Sequence, residues 1–174
     1  MSIVEKGSFG DIKLYAKFSA NKYRIEYDLQ GGVNDISNPS VYTVEDETVT
    51  LSAPTRVHYT FGGWFEDGKL VETIDASRLC DIKLVAEWTA DKYTITYNLN
   101  GGECNDALVT EYTVESAEIS LPALTKRGYS FDGWYDNAAF DGKSLNNIPS
   151  GSYGNINLRS EERRVGKECR SRWS

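Results

Sequence analysis

The chain is poor in the residue types that most often build catalytic sites. Its 174 residues include a single histidine, a single methionine and three cysteines. A nucleophile and base pair needs a Ser or Cys near a His. The only histidine, His58, stands at a turn position, where histidine tolerates a positive φ better than most residues. We therefore interpret His58 as a turn residue, and the sequence predicts no catalytic residue.

The cysteines form no framework. Cys80 and Cys104 belong neither to a paired disulfide set nor to a metal-ligand spacing, so we interpret them as two incidental thiols. No phosphate-binding glycine loop and no paired carboxylates appear elsewhere. The sequence therefore predicts no metal and no cofactor. A low cysteine content fits a cytosolic protein and many bacterial surface proteins alike, and it does not decide the compartment.

Long apolar runs and a basic surface are also missing. No run approaches the roughly 20 residues that span a membrane, so we expect no direct membrane insertion in this segment. The formal net charge is −7, and it becomes −10 without residues 159–174, because Lys+Arg falls from 19 to 13 and Asp+Glu from 26 to 23. Such a surface repels phosphate backbones and anionic lipid heads, which argues against nucleic-acid partners.

What the chain does contain is a repeat with a spacing of 70 residues. A unit of this length exceeds the usual solenoid period and can hold a core of its own, so the sequence predicts small domains in series. The matching segments are 23–32 with 93–102, 42–45 with 112–115, 59–64 with 129–134, and 11–18 with 81–88.

The repeats divide the chain into four segments. Residues 1–20 match only the end of a preceding repeat, and residues 21–90 make a complete unit. Residues 91–158 make a second unit that we expect to lack its closing strand. The tail, residues 159–174, resembles one reading frame of a widely used sequencing adapter. We interpret it as non-native, exclude it from fold reasoning and expect no regular contacts between it and the repeats.

Strand patterns dominate both units. Residues 23–29 and 93–99 alternate apolar and polar side chains, which is the pattern of a half-buried strand. Gly-Gly pairs at 31–32 and 101–102 end these strands. Helical spacing is limited to two turns at 70–74. We predict a mainly β or α+β fold made of tandem small domains, each with four to five strands and at most one short helix.

Aromatic side chains supply much of the predicted core. A 70-residue domain buries only about 60% of its unfolded surface, and each large aromatic side chain buries roughly 150–250 Å². The predicted core motif consists of Tyr23, Ile25, Tyr27, Leu29, Phe61, Trp64, Leu84, Trp88, Tyr93, Ile95, Tyr97, Leu99, Phe131 and Trp134.

Trp64 and Trp134 allow two interpretations. A tryptophan in a strand of a marginally stable domain is usually part of the core, and we expect Trp64 to pack against Tyr27 or Ile25. An exposed tryptophan beside a tyrosine would instead stack on a sugar ring. Both tryptophans are therefore also candidates for ligand stacking.

Two polar clusters are explained by turns. The run Glu45-Asp46-Glu47 lacks the alternating ligand spacing and the glycine of a calcium loop, so we interpret it as a solvated turn. Asn34-Asp35 and Asn105-Asp106 recur beside the Gly-Gly pairs, where Asx side chains close turns.

The motifs Y-x-I-x-Y-x-L-x-G-G, Y-T-V-E, G-Y-x-F-x-G-W-Y and G-x-I-x-L-x-A-x-W together resemble the Listeria-Bacteroides repeat, also called the internalin-type B-repeat. The resemblance covers residues 21–158 and the stub before them. It implies a small β-grasp-like domain in tandem arrays on bacterial surface and cell-envelope proteins, without catalytic residues. His58 and Cys80 depart from the pattern, each at a position where glycine is usual, and affect local turn geometry.

Two functional hypotheses follow. The first is a non-enzymatic, extracellular repeat fragment of a bacterial cell-surface protein, acting as a stalk or spacer that presents an adhesive region. Its partners are neighbouring repeats of the same chain. The alternative is a ligand-binding module that engages a glycan or host protein through an aromatic face. The junction at 89–92 has four residues without Gly or Pro, which predicts a semi-rigid rod.

Overall fold

The computed structural model describes residues 6–164 apart from 8, 12, 14, 138, 141, 142, 161 and 162. All regular structure in this part of the chain is β, which confirms the predicted mainly-β tandem domains. No helix occurs within the described residues. The segment with helical spacing forms two short strands instead, because its apolar side chains serve two different sheets.

Repeat 1, residues 21–90, contains seven strands. They are β1 Tyr23–Asp28, β2 Val41–Tyr42, β3 Thr48–Thr50, β4 Tyr59–Glu66, β5 Lys69–Val71, β6 Thr73–Asp75 and β7 Ile82–Ala90. Five of these strands form one sheet in the order β2-β1-β7-β4-β5. The first and last strands, β1 and β7, are parallel, and the other neighbours are antiparallel. A separate two-stranded sheet, β3-β6, completes the unit.

Repeat 2, the unit that begins at residue 91, follows the same plan, and most of its strands are shorter. The strands are β8 Tyr93–Asn98, β9 Glu111–Tyr112, β10 Ile119–Ser120, β11 Tyr129–Ser130, β12 Trp134–Tyr135, β13 Asn147–Ile148, β14 Ile156–Ser160 and β15 Arg163–Arg164. The main sheet has the order β12-β14-β8-β9, and two-stranded sheets pair β10 with β13 and β11 with β15.

The parallel pair has the same register in both units. Ile25 lies opposite Ile82 in repeat 1, and Ile95 lies opposite Ile156 in repeat 2. The alternation read from the sequence places Ile25 and Ile95 on the inner face, where they are buried. Because a one-residue slip would turn every apolar side chain to solvent, the shared pattern fixes the shared register.

A glycine with positive φ precedes each buried Trp. The β4–β7 register shifts at a bulge between Phe61 and Gly63, and Gly63 has a φ of 140°. In repeat 2, Gly133 has a φ of 121°. A Cβ at Gly63 would collide with the Leu70 side chain, and one at Gly133 would lie 2.5 Å from Ser144 Cβ. A bulge bends the strand and redirects the following side chain, which in repeat 1 is Trp64.

Each unit has its own hydrophobic core, and every residue of the predicted core motif lies in one of the two. Buried aromatic tips donate hydrogen bonds to backbone carbonyls at equivalent places. Tyr42 Oη donates to Cys80 O at 2.6 Å, and Tyr112 Oη donates to Gly154 O at 2.6 Å. Burial raises the pKa of both phenols. These bonds satisfy polar atoms that would otherwise be costly inside so small a core.

The expectation that the tail makes no regular contacts with the repeats is wrong for its first residues. Arg159 and Ser160 continue β14 and pair with β12, with Ser160 opposite Trp134. Arg163 and Arg164 pair with Ser130 and Tyr129. Ser160 is only 4% exposed, and its hydroxyl donates to Leu99 O at 2.9 Å. The open edge of β11 and β12 supplies backbone partners that any extended segment can use. Residues 165–174 lie outside the described residues.

Candidate functional site

The two candidate ligand-stacking side chains belong to the core. Trp64 is 2% exposed and Trp134 is 1% exposed. The Trp64 ring centre lies 5.0 Å from that of Tyr27, and the Trp134 ring centre lies 5.2 Å from that of Tyr97. Neither indole presents a face to solvent, so the sugar-stacking interpretation of these residues does not hold in this structure.

The indole nitrogens are also engaged. Trp64 Nε1 donates to Ser52 O at 3.1 Å, and Trp134 Nε1 donates to Pro122 O at 2.7 Å. A buried indole N–H needs such an acceptor. Both rings are therefore held by packing on one side and by a backbone carbonyl on the other, as structural tryptophans are.

The acidic turn closes on itself. Asp46 Oδ2 accepts hydrogen bonds from Thr43 N at 2.6 Å and Thr43 Oγ1 at 3.1 Å. In repeat 2, Ser116 Oγ accepts the equivalent bond from Thr113 N at 3.0 Å. Among the described residues, no group of three or more His, Cys, Asp or Glu side chains is arranged to hold a metal ion. The Asp46 carboxylate therefore has a structural role at this turn, which Ser116 fulfils in repeat 2.

The surface most distinctive of this chain is the joint between the repeats, defined here by residues 58–60 of repeat 1, the linker 91–92, and residues 93, 115 and 153 of repeat 2. Because β7 runs to Ala90 and β8 begins at Tyr93, the linker has two residues outside strands, fewer than the predicted four. Asp91 N donates to His58 O at 3.0 Å, and Thr60 Oγ1 donates to Asp91 Oδ1 at 2.7 Å. These bonds tie the linker to repeat 1.

His58 connects repeat 1 to repeat 2. Its φ of 66° is the left-handed conformation expected of a turn residue. Its ring stacks on Tyr153, with centroids 4.2 Å apart and an interplanar angle of 24°. His58 Nδ1 and Tyr93 Oη also share a hydrogen bond of 2.9 Å. The side chain that replaces the usual turn glycine thus contacts two separate segments of the next repeat.

Two polar contacts flank His58. Tyr59 Oη donates to Glu115 Oε1 at 3.1 Å, and Lys92 Nζ lies 3.3 Å from Glu111 Oε2. Partial burial, and then the Glu115 carboxylate, raise the pKa of Tyr59. Burial, and then the charge of Asp91, raise the pKa of Tyr93. Both phenols are therefore neutral donors or acceptors at physiological pH, so the joint carries hydrogen bonds through neutral tyrosines.

Sequence reasoning located the turn and the short linker but missed the cross-repeat contacts. Tyr153 aligns with Leu79 in repeat 1, and Glu115 aligns with Glu45. Neither position is unusual within its own repeat. The available signal was His58, at a position where glycine is usual, together with an aromatic side chain at position 153 of the next unit.

The comparisons with known proteins agree with the internal repeat. The model of the Listeria-Bacteroides repeat domain matches residues 23–87 and again residues 93–160. The chain is 30% identical over 131 residues to a protein of Evansella cellulosilytica whose name describes it as a Gly-rich membrane protein, covering 72% of this chain and 14% of that protein. It is 32% identical over 120 residues to Internalin H of Listeria monocytogenes, covering 66% of this chain and 20% of Internalin H.

A second Evansella cellulosilytica protein, named as a membrane protein, is 33% identical over 132 residues, which are 72% of this chain and 19% of that protein. The chain thus spans no more than a fifth of the length of these relatives. No solved structure matches it. Within the described residues, the structure contains no helix with the length and apolarity needed to cross a membrane. From two tandem matches that follow the observed strands, we conclude that this chain belongs to the Listeria-Bacteroides repeat domain family.

Proposed function

We propose that the chain is a non-enzymatic part of a bacterial cell-surface protein, in which the repeats form an extracellular spacer that presents an adhesive region. The joint is the observation that carries this proposal. A spacer must hold its units at a set angle, and a two-residue linker fixed by His58, Thr60 and Asp91 limits the angles that the units can take. Relatives named as an internalin and as membrane proteins support a surface setting.

Charge supports an extended arrangement. The net charge of −7 makes folding back of one unit on another unfavourable. The parallel pairing of first and last strands also suits a spacer, because the chain enters each unit at one end of this strand pair and leaves it at the other. We further propose that this topology is β-grasp-like. The alternative function, ligand binding through an aromatic face, is less well supported, because its main candidate residues, Trp64 and Trp134, are buried.

The angular restriction is testable on the full chain. Spin labels would be placed at Ile36→Cys and Asp106→Cys, two exposed and equivalent loop positions, after the three cysteines of the chain are replaced by serine. Double electron–electron resonance should give one narrow distance distribution. The matched variant His58→Gly keeps a residue suited to positive φ but removes both ring contacts, and it should broaden the distribution. A Gly-Ser-Gly-Ser insertion after Ala90 should broaden it further.

A broad distribution in the unmodified chain, equal to that of the insertion variant, would contradict a fixed joint. The spacer role needs a second measurement. One, two or three copies of residues 21–160 would be placed between an exported tag and a cell-wall anchor, and the height of the tag above the cell surface measured by localisation microscopy. Height should rise with copy number, whereas equal heights would refute the spacer.

A further inference from the structure

The turn that follows β8 contains the only Asn-Gly pair in the sequence, Asn100-Gly101. Both residues have a left-handed backbone, with φ values of 50° and 78°, and both are exposed to solvent. Gly102 N closes the turn by donating to Leu99 O at 2.8 Å. An asparagine followed by glycine is open to attack by the glycine nitrogen, because glycine has no side chain to shield that nitrogen.

Lys126 places a positive charge beside the peptide group that would react. Its Nζ donates to Asn100 O at 2.7 Å and lies 3.2 Å from the point where a Cβ of Gly101 would stand. Asn100 O and Gly101 N belong to one conjugated peptide group, so deprotonation of this nitrogen moves negative charge onto that oxygen. A neighbouring ammonium stabilises the deprotonated peptide and thereby increases the share of nitrogen that can act as a nucleophile.

The other reacting group is the side-chain amide of Asn100. Its Nδ2 donates to Ser160 O over 3.4 Å, a long hydrogen bond, so the nitrogen that must leave is weakly held. Asn100 N donates to Asn98 Oδ1 at 3.1 Å, which anchors the backbone before the turn. Rotation of the Asn100 side chain toward Gly101 N therefore breaks a weak contact while the start of the turn stays in place.

We propose that Asn100 is a site of spontaneous deamidation and that Lys126 promotes the reaction. Gly101 N gives up its proton and attacks Cγ of Asn100, and ammonia leaves with that proton to give a five-membered succinimide. Water then adds to either carbonyl of the ring, and the C–N bond that breaks leaves aspartate or isoaspartate at position 100. One ammonia is lost and one water is gained, with water as the co-reactant.

Repeat 1 has the same turn with a less reactive side chain. Gln30 and Gly31 occupy the equivalent positions, with φ values of 47° and 86°, and Gly32 N donates to Leu29 O at 2.9 Å. The longer glutamine side chain must close a six-membered ring, which forms far more slowly than the five-membered one. The two turns therefore share a backbone conformation and differ in covalent lifetime.

Deamidation should change repeat 2 through this turn. Isoaspartate routes the main chain through the side-chain carbon and so adds one methylene between positions 100 and 101. Gly102 follows directly, and a Cβ there would lie 3.1 Å from Leu124 Cδ1, so the turn has little room to shift. The lengthened turn should destabilise repeat 2 and leave repeat 1 unchanged. This modification goes beyond the proposed spacer function, and either can hold without the other.

The test follows the full chain during incubation at mildly alkaline pH, with peptide mapping by mass spectrometry and fragmentation that separates aspartate from isoaspartate. We expect loss of ammonia at Asn100 before any other asparagine. Lys126→Met removes the charge and keeps a side chain of similar length. It should slow the reaction by roughly fivefold, as expected for two unit charges a few Å apart in water. Asn100→Gln copies repeat 1 and should abolish the reaction.

Unfolding separates the effect of the geometry from that of the dipeptide. In urea that unfolds the chain, Asn100 should still react, and Lys126→Met should react at the same rate as the unmodified chain. Full protection of the folded chain while the unfolded chain reacts would overturn the inference. So would a folded Lys126→Met variant that reacts as fast as the unmodified chain, or faster.

The effect on the fold is measured on the deamidated chain, which its additional negative charge separates by ion exchange. Repeat 2 of this chain should unfold at a lower urea concentration, and repeat 1 at the same concentration as before. Equal stability of repeat 2 before and after deamidation would overturn the expected effect of the lengthened turn. These measurements do not depend on the angle between the repeats, so their failure is distinguishable from failure of the spacer proposal.

Discussion

Repeat 1 and repeat 2 pair their first and last strands in the same parallel register, but the last strand runs for nine residues in repeat 1 and five in repeat 2. The additional residues of β7 include Trp88, which closes the core of repeat 1. In repeat 2 the strand ends at Ser160, the counterpart of Ala86, and a small cavity lies beside Ser160 and Leu99. The comparison teaches that the first half of the closing strand sets the register of the parallel pair. The second half determines how completely the core is filled.

Substitution of the equivalent buried tryptophans should lower the stability of the two units by the same amount. Trp64→Ala and Trp134→Ala each remove a fully buried indole, and each should cost about 3–5 kcal/mol. Loss on this scale would unfold the affected unit, because a domain of this size is marginally stable. Urea unfolding followed by the NMR signals of each unit would measure both costs. A loss below about 1 kcal/mol in either unit would break the equivalence.

Substitutions in the second half of the closing strand should change the stabilities of the two repeats in opposite directions. Trp88→Ala should destabilise repeat 1 by about 2 kcal/mol, since the half-buried indole gives up part of its burial and its bond to Leu29 O. Glu162 aligns with Trp88 along the chain, so Glu162→Trp should restore the missing indole and stabilise repeat 2 by about 1 kcal/mol. Thermal unfolding of the full chain and of each variant measures both changes. Glu162→Gln is the control for charge, and an equal gain from it would show that the indole is not the cause.

High pH should weaken repeat 1 more than repeat 2. Burial raises the pKa of Tyr27 to about 12, and its hydroxyl donates to Pro39 O at 2.8 Å. Since the folded pKa exceeds the ordinary value near 10, this stability is fully present below about pH 10 and is lost as pH rises to about 12. Burial also raises the pKa of Tyr97. Denaturant unfolding between pH 9 and 12 should show a steeper fall for repeat 1, and Tyr27→Phe should remove the excess. An unchanged slope in Tyr27→Phe would refute this origin.

Low pH should give the smallest difference in stability between the two repeats. Arg78 forms a bidentate pair with Glu66, each contact 2.8 Å, and hydrogen bonding to Arg78 lowers the pKa of Glu66. A depressed carboxylate pKa gives stability that is present above about pH 4.3 and lost as pH falls further. The equivalent positions in repeat 2 are Asp136 and Ser152. The loss should stay under about 1 kcal/mol, because both side chains are partly exposed. Arg78→Met should reduce the fall in stability between pH 5 and 3, and the remainder should come from Asp35 and Asp75, whose pKa values are lowered by hydrogen bonds from Ser37 and Ser77. An unchanged fall in Arg78→Met would contradict a contribution from the Glu66 pair.

The sequence predicted the repeat, the β class and the β1 and β8 strands because all three depend on local periodicity. Helical spacing at 70–74 was misleading, since strands from two sheets meet there. The pairing of Arg163–Arg164 with β11 was also not foreseen. Backbone hydrogen bonds to an open sheet edge depend little on side-chain identity, so no residue pattern predicts them. The contact of His58 with Tyr153 depends on the relative orientation of the two units, which the sequence pattern of a single unit does not predict.

Native-state hydrogen exchange on the full chain tests most directly whether the second half of the closing strand determines the difference in protection between the two repeats. The amides of Ile25 and Ile95, on the shared first strands, should have similar protection within their own units. The amides of 59–61 should exchange at least tenfold more slowly than those of 129–131, because β4 pairs with the long β7 while β11 pairs with Arg163–Arg164. Equal protection at these two segments, or uniformly weak protection throughout repeat 2 including Ile95, would contradict the account.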